Sequence, residues 1–149
     1  MGRRRERREE HSILKIAFDI GGVISKYPQQ MREVIWSLKT CGHETHVITD
    51  MHDKEDVLKQ LKDNEFEHYF DFVHCADYAT HGELCKAVLL RDIKIDMFYD
   101  DFVGYTMWPP HFGPAPIRML VMPDGYRPYW HPDWRCSGGD FGRRVYKGE

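Results

Sequence analysis

Two hydrophobic periods alternate along this chain, and the switches between them divide it into strands and helices. Ile13 to Phe18 is an almost unbroken apolar run interrupted by Lys15, the pattern of a strand buried on both faces of a parallel sheet. It ends at Asp19-Ile20-Gly21-Gly22. Beyond Pro28, residues Met31, Val34, Ile35 and Leu38 recur at helical spacing and Gly42 supplies a stop, which predicts one amphipathic helix. Thr45 to Thr49 reads as a second strand. A helix follows from about Asp53, with Val57, Leu58 and Leu61 on one face and Asn64 near its end. Phe70 to Ala76 reads as a third strand. Thr80-His81-Gly82-Glu83 then has the S/T-x-x-E form of a capping box, with Thr80 as the N-cap of a helix reaching about Asp92. Ile95 to Tyr99 forms a fourth strand that delivers Asp100 and Asp101 to its end, and Ile117 to Met122 a fifth.

Strands alternating with helices imply βαβ units. The expected fold is therefore α/β, a Rossmann-like three-layer sandwich around a mainly parallel five-stranded sheet. Ligands of such sheets bind at the carboxyl ends of the strands. Asp19, Thr49, Asp100 and Asp101 all fall at such ends, so four polar groups converge on one edge.

The length of 149 residues suits one domain. Residues 1–11 read as a solvated basic arm and residues 12–123 as the α/β core. Residues 124–149 read as a wrap of the same domain, anchored by Tyr126, Tyr129, Trp130, Trp134 and Phe141. A hydrophobic fraction of 42% and a charged fraction of 30% are ordinary for a globular protein. A net charge of −3 argues against a generally basic nucleic-acid-binding surface. No apolar run is long enough for a membrane span. Cys41, Cys75, Cys85 and Cys136 are widely spaced without a CxxC, and no secretory signal precedes them. They read as reduced thiols of a cytoplasmic protein. Cys41-Gly42-His43-Glu44-Thr45-His46 contains zinc-ligand residue types but lacks the usual second ligand pair.

The strand-end residues resemble, in order, the motifs of the haloacid dehalogenase (HAD)-like superfamily. KIAFDIGGVIS with Asp19 is similar to its nucleophile strand, HVITD with Thr49 to its second motif, and MFYDD with Asp100 and Asp101 to its acidic pair. The resemblance covers about Ile13 to Met122. It implies a HAD-like fold and an Mg²⁺-dependent phosphohydrolase working through an aspartyl-phosphate on Asp19. Mg²⁺ would be held by Asp19, the Gly21 carbonyl, Asp100 and Asp101. Thr49 would contact a phosphoryl oxygen, Gly21, Gly22 and His81 would border the substrate, and Lys86 would offset the negative charge. His81 is the alternative basic residue, because a helix starting at Thr80 puts Lys86 more than a turn inside it. The substrate would be a phosphorylated small molecule or nucleic-acid end. Oligomeric state is left open.

The chemistry suits these residue types. A carboxylate attacking phosphorus splits one hard displacement into two easier ones, and Mg²⁺ prefers oxygen ligands. Two features depart from the family. Gly21 stands two residues after Asp19, where most phosphatases of the family carry an acidic proton donor. There is also no room for a cap domain, so the site should be open. Gly21 keeps a second reading in view, a HAD-like binding or regulatory module with weak catalysis. The open site and the Arg-rich arm raise a third, a nucleic-acid end-processing phosphatase.

Overall fold

The computed structural model describes residues 12–122. The basic arm and the aromatic segment 124–149, including His131, lie outside them. The described chain is a small α/β domain with five strands: β1 (Lys15–Phe18), β2 (Glu44–Thr49), β3 (Phe72–Cys75), β4 (Met97–Asp100) and β5 (Ile117–Leu120). Four helices connect them: α1 (Pro28–Thr40), α2 (Lys54–Asp63), α3 (Tyr78–His81) and α4 (Cys85–Asp92). None of them is long and apolar enough to cross a membrane.

The helix boundaries follow from local chemistry. Pro28 opens α1, where its missing N–H costs nothing, and Gly42 turns the chain away at φ +87°. Asp53 caps α2 by accepting from the Glu55 N–H at 3.0 Å. Glu55 and Asp56 lie in its first turn and Lys62 in its last, matching the helix dipole.

The capping box expected at Thr80 is not formed. Asp77 is the cap instead, accepting from the Thr80 N–H at 3.1 Å and opening only the single turn α3. Gly82 at φ +58° then breaks the helix, a short 3₁₀ turn follows at Gly82–Leu84, and α4 begins afresh at Cys85. Lys86 therefore stands in the first turn of its helix.

All strand pairs are parallel and the order is β3-β2-β1-β4-β5. The sheet expected to be mainly parallel is parallel throughout. Alternation along β1 sends Ile16 and Phe18 into one core, with Ile35 of α1, Val47 of β2 and Val57 and Leu61 of α2. Ala17 faces the other core, with Ile48, Phe98 and, from α4, Cys85 and Leu90. Two cores on opposite faces explain why β1 reads as an almost continuous apolar run. The chain steps from β1 to β2 to β3, then crosses back to place β4 on the other side of β1. Such a reversal opens a crevice at the carboxyl ends of the two strands it separates, here the ends of β1 and β4. Between β1 and β2 the chain forms only a tight turn and α1, and β3 leads directly towards α4. Among the described residues no inserted domain covers that crevice.

Candidate metal centre

The crevice at the ends of β1 and β4 is built by backbone before any side chain enters it. The Asp19 N–H donates to the Tyr99 carbonyl at 2.9 Å, carrying the β1–β4 ladder one residue past β1. Asp100 is the last residue of β4, and its Oδ1 accepts from the Phe102 N–H at 2.9 Å, which closes the following turn. Asp19 and Asp100 are thereby fixed side by side, with Asp101 next in the turn. All three are buried, and one carboxylate oxygen from each lies within 4.8 Å of the others.

Lys86 is fully buried and enters from the first turn of α4. Its Nζ donates to Asp100 Oδ2 at 2.7 Å and lies 2.9 Å from Asp19 Oδ1. The Tyr105 ring covers the ammonium at 4.4 Å from its centroid, a cation–π contact. Burial opposes the charge on Lys86, but facing Asp19 and Asp100 outweighs it and pushes the ammonium's pKa upward. Burial also pushes the Asp19 carboxyl well above the usual carboxylate range; Lys86 pulls it back in part, and Asp100 and Asp101 push it further. Asp19 and Asp100 thus share one lysine, with the Asp101 carboxylate beside them, which leaves an excess of negative charge in a buried place.

Gly22 lets the three carboxylates come this close. Its φ is +72°, and a Cβ there would overlap the Asp101 carboxyl. Gly21 differs: at φ −65° and ψ 130° it has an ordinary extended backbone, and a Cβ would meet open space.

A cavity of about 220 Å³ opens over the cluster, lined by Asp19, Gly21, Thr49, Asp50, Asp101 and Tyr105 among others. Thr49 is buried, and its hydroxyl accepts from the Met51 N–H at 3.2 Å. Asp50 accepts from the Tyr105 hydroxyl at 2.7 Å, tying the end of β2 to the turn after β4. The structure brings Asp19, Gly21, Gly22, Thr49, Lys86, Asp100 and Asp101 together. It leaves His81 exposed at the end of α3 and outside the cavity lining. Sequence reasoning missed Asp50 and Tyr105. Asp50, next to Thr49 at a strand end, carried a positional signal, whereas Tyr105 in a Gly-containing turn carried none.

The donor set is all oxygen and all carboxylate, which suits a hard divalent cation. The buried Asp19–Asp100–Asp101 triad could hold a metal ion. Comparison of this chain with protein-family models, curated proteins and solved structures finds no match.

Proposed function

We propose that this chain is a phosphohydrolase similar to HAD-type phosphatases, with Mg²⁺ held by Asp19, the Gly21 carbonyl, Asp100 and Asp101. The observation that carries this reading is Lys86, buried at 2.9 Å from Asp19 and 2.7 Å from Asp100 in the crevice where the chain reverses across the sheet. The metal would supply charge neutralisation for a phosphoryl group. Asp19 is the nucleophile: an oxygen of its carboxylate attacks phosphorus, the bond to the leaving oxygen breaks, and an aspartyl-phosphate forms. Water then cleaves that intermediate and returns the carboxylate. Lys86 neutralises Asp19 and the arriving phosphate, and holds the carboxylate in place through its bond to Asp100. Thr49 contacts a phosphoryl oxygen, and Gly21 and Gly22 border the substrate.

With Gly21 in the proton donor's place, the leaving oxygen departs unassisted. The favoured substrates are aryl or acyl phosphates, small molecules that fit a 220 Å³ cavity. Gly21→Asp is sterically open and needs no unusual backbone. It is expected to raise alkyl-phosphate turnover by up to about 10²–10⁴-fold, the range of general acid catalysis, with little change on aryl phosphates. Equal effects on both substrate classes in a folded, metal-binding variant overturn the missing-donor explanation.

The deciding experiment is a screen of phosphorylated metabolites, aryl and acyl phosphates and oligonucleotide ends, with and without Mg²⁺. Turnover abolished by EDTA and by Asp19→Asn supports the enzyme. The open position at Gly21 favours a second reading, a HAD-like module that binds without turnover. Metal binding with no hydrolysis of any substrate class would select it.

A further inference from the structure

A second polar cluster lies on β2 and β3, away from the proposed metal centre. Glu44 and His46 alternate onto one face of β2, the face that also carries Ile48 and the α4 core. In register with His46 stands Phe72, and two residues on comes His74. His46 Nε2 is 2.7 Å from Glu44 Oε1, and His46 Nδ1 is 2.9 Å from His74 Nε2. His46 is 3% exposed, while Glu44 and His74 are half-buried, so this chain of bonds runs from the interior to the surface at each end.

The two imidazoles are 14° from parallel with centroids 5.2 Å apart. That separation matches the 2.9 Å N···N contact plus one ring radius at each end, so the rings meet edge to edge along the hydrogen bond. Two lone pairs aimed straight at one another suit a shared proton. They do not converge on a common metal position.

A carboxylate can only accept, so His46 Nε2 carries a proton and donates to Glu44. With both rings neutral, His74 Nε2–H donates to His46 Nδ1. With one extra proton, His46 Nδ1–H donates to a His74 Nε2 lone pair. A second extra proton sets N–H against N–H and destroys the contact. Burial lowers the pKa of both rings; Glu44 partly restores that of His46, while His46 and Lys54 depress that of His74 further. Lys15 and Asp71 also face His46. The Asp71 carboxyl, despite its partial burial, is held below its ordinary range by bonds from Thr45 and Lys39, so it titrates outside the histidine window.

We propose that Glu44, His46 and His74 form a clasp that holds β3 on β2 while the two imidazoles share at most one extra proton, and releases β3 when they take up a second. Among the described residues β3 is an edge strand whose only sheet partner is β2, so the clasp bridges its single strand pairing. The effect reaches the cavity: β2 ends at Thr49, whose carbonyl accepts from the Ala76 N–H at 2.7 Å just past β3. Acid release of β3 therefore loosens a wall of the cavity whichever reaction occurs there.

The test is amide hydrogen exchange of the full chain between pH 8 and pH 5, corrected for intrinsic rates. The imidazole nitrogens are followed by NMR over the same range. In the released strand both histidines protonate near their ordinary pKa of about 6.5. Released β3 then binds at least one proton more than clasped β3. Protection of the β3 amides should accordingly fall relative to β4 by roughly tenfold per pH unit below about 6.5. His74→Gln keeps a donor and an acceptor opposite His46 but cannot titrate, and should remove this difference. A constant β3-to-β4 protection ratio from pH 8 to pH 5 overturns the clasp, as does an undiminished acid effect in His74→Gln. Should His74→Gln fail to fold, the unmodified chain still decides, because two fully protonated imidazoles beside a protected β3 refute the proposal.

Discussion

The two polar clusters differ in how deeply their charges are buried and in how their protons are shared. At the ends of β1 and β4 two buried carboxylates, Asp19 and Asp100, share one lysine with Asp101 beside them, and the cluster opens into a cavity. On β2 and β3 a carboxylate and two imidazoles satisfy one another along a single line of hydrogen bonds. Among the described residues no buried side-chain N or O lacks a partner, so hydrogen-bond satisfaction does not separate them. Net charge does. A buried surplus of negative charge is costly unless something positive arrives, whereas a self-satisfied line of donors and acceptors requires no ligand. The first arrangement is a place to bind a cation and the second a fastening inside the fold.

Substitutions that change charge but little shape should act strongly on the first cluster and weakly on the second. The largest effect is expected from Lys86→Met, which leaves Asp19 and Asp100 buried without their cation. Removing one partner of a buried ion pair typically costs about 3–5 kcal/mol, and Mg²⁺ should restore part of that loss. Chemical denaturation at neutral pH with and without Mg²⁺ measures both. A variant as stable as the parent, or one indifferent to Mg²⁺, breaks the charge-surplus interpretation.

Gly22→Ala comes next. It places a side chain at φ +72° and against Asp101, and the left-handed backbone alone costs about 1–2 kcal/mol. A lower melting temperature should accompany weaker Mg²⁺ binding by titration calorimetry. Loss of stability with unchanged metal affinity would separate Gly22 from the centre.

Asp19→Asn should act in the opposite direction. The folded pKa of Asp19 is raised, so the unfolded carboxyl gives up its proton near pH 4 while the folded one still holds it. Stability of the metal-free parent should therefore fall as pH rises from about 4 through the raised folded pKa, and Asp19→Asn should abolish that fall. At neutral pH without metal the variant should be the more stable, by on the order of 1 kcal/mol, with the sign reversed from the usual point mutant. Parallel stability-versus-pH curves for the two proteins would exclude it.

The smallest effect is expected from the same kind of exchange in the other cluster. Glu44→Gln still offers an oxygen to the His46 Nε2–H, and at pH 8 it should change stability by less than about 0.5 kcal/mol. A change as large as that of Asp19→Asn would erase the distinction between the clusters.

The order of elements, the parallel α/β class and the arrival of Asp19, Thr49, Asp100 and Asp101 at strand ends were all written in the periodicity of the chain. Burial on both faces of a sheet forces continuous apolar runs, and a polar residue ending such a run can only sit at the sheet's edge. Which basic residue joins them was not legible. Thr80 to Glu83 form a plausible capping pattern, and the break at Gly82 that exposes His81 and starts α4 at Cys85 depends on a positive φ adopted in three dimensions. The role of Gly22 was hidden for the same reason, since it answers to Asp101, distant along the chain. Likewise Glu44 and His46 share a strand face by simple alternation, but His74 meets them only through the register of β3 on β2. Local pattern determined which residues reach an edge or a face. Strand order and register decided which of them share a proton or a charge, because these contacts join segments whose separation along the chain leaves no periodic trace.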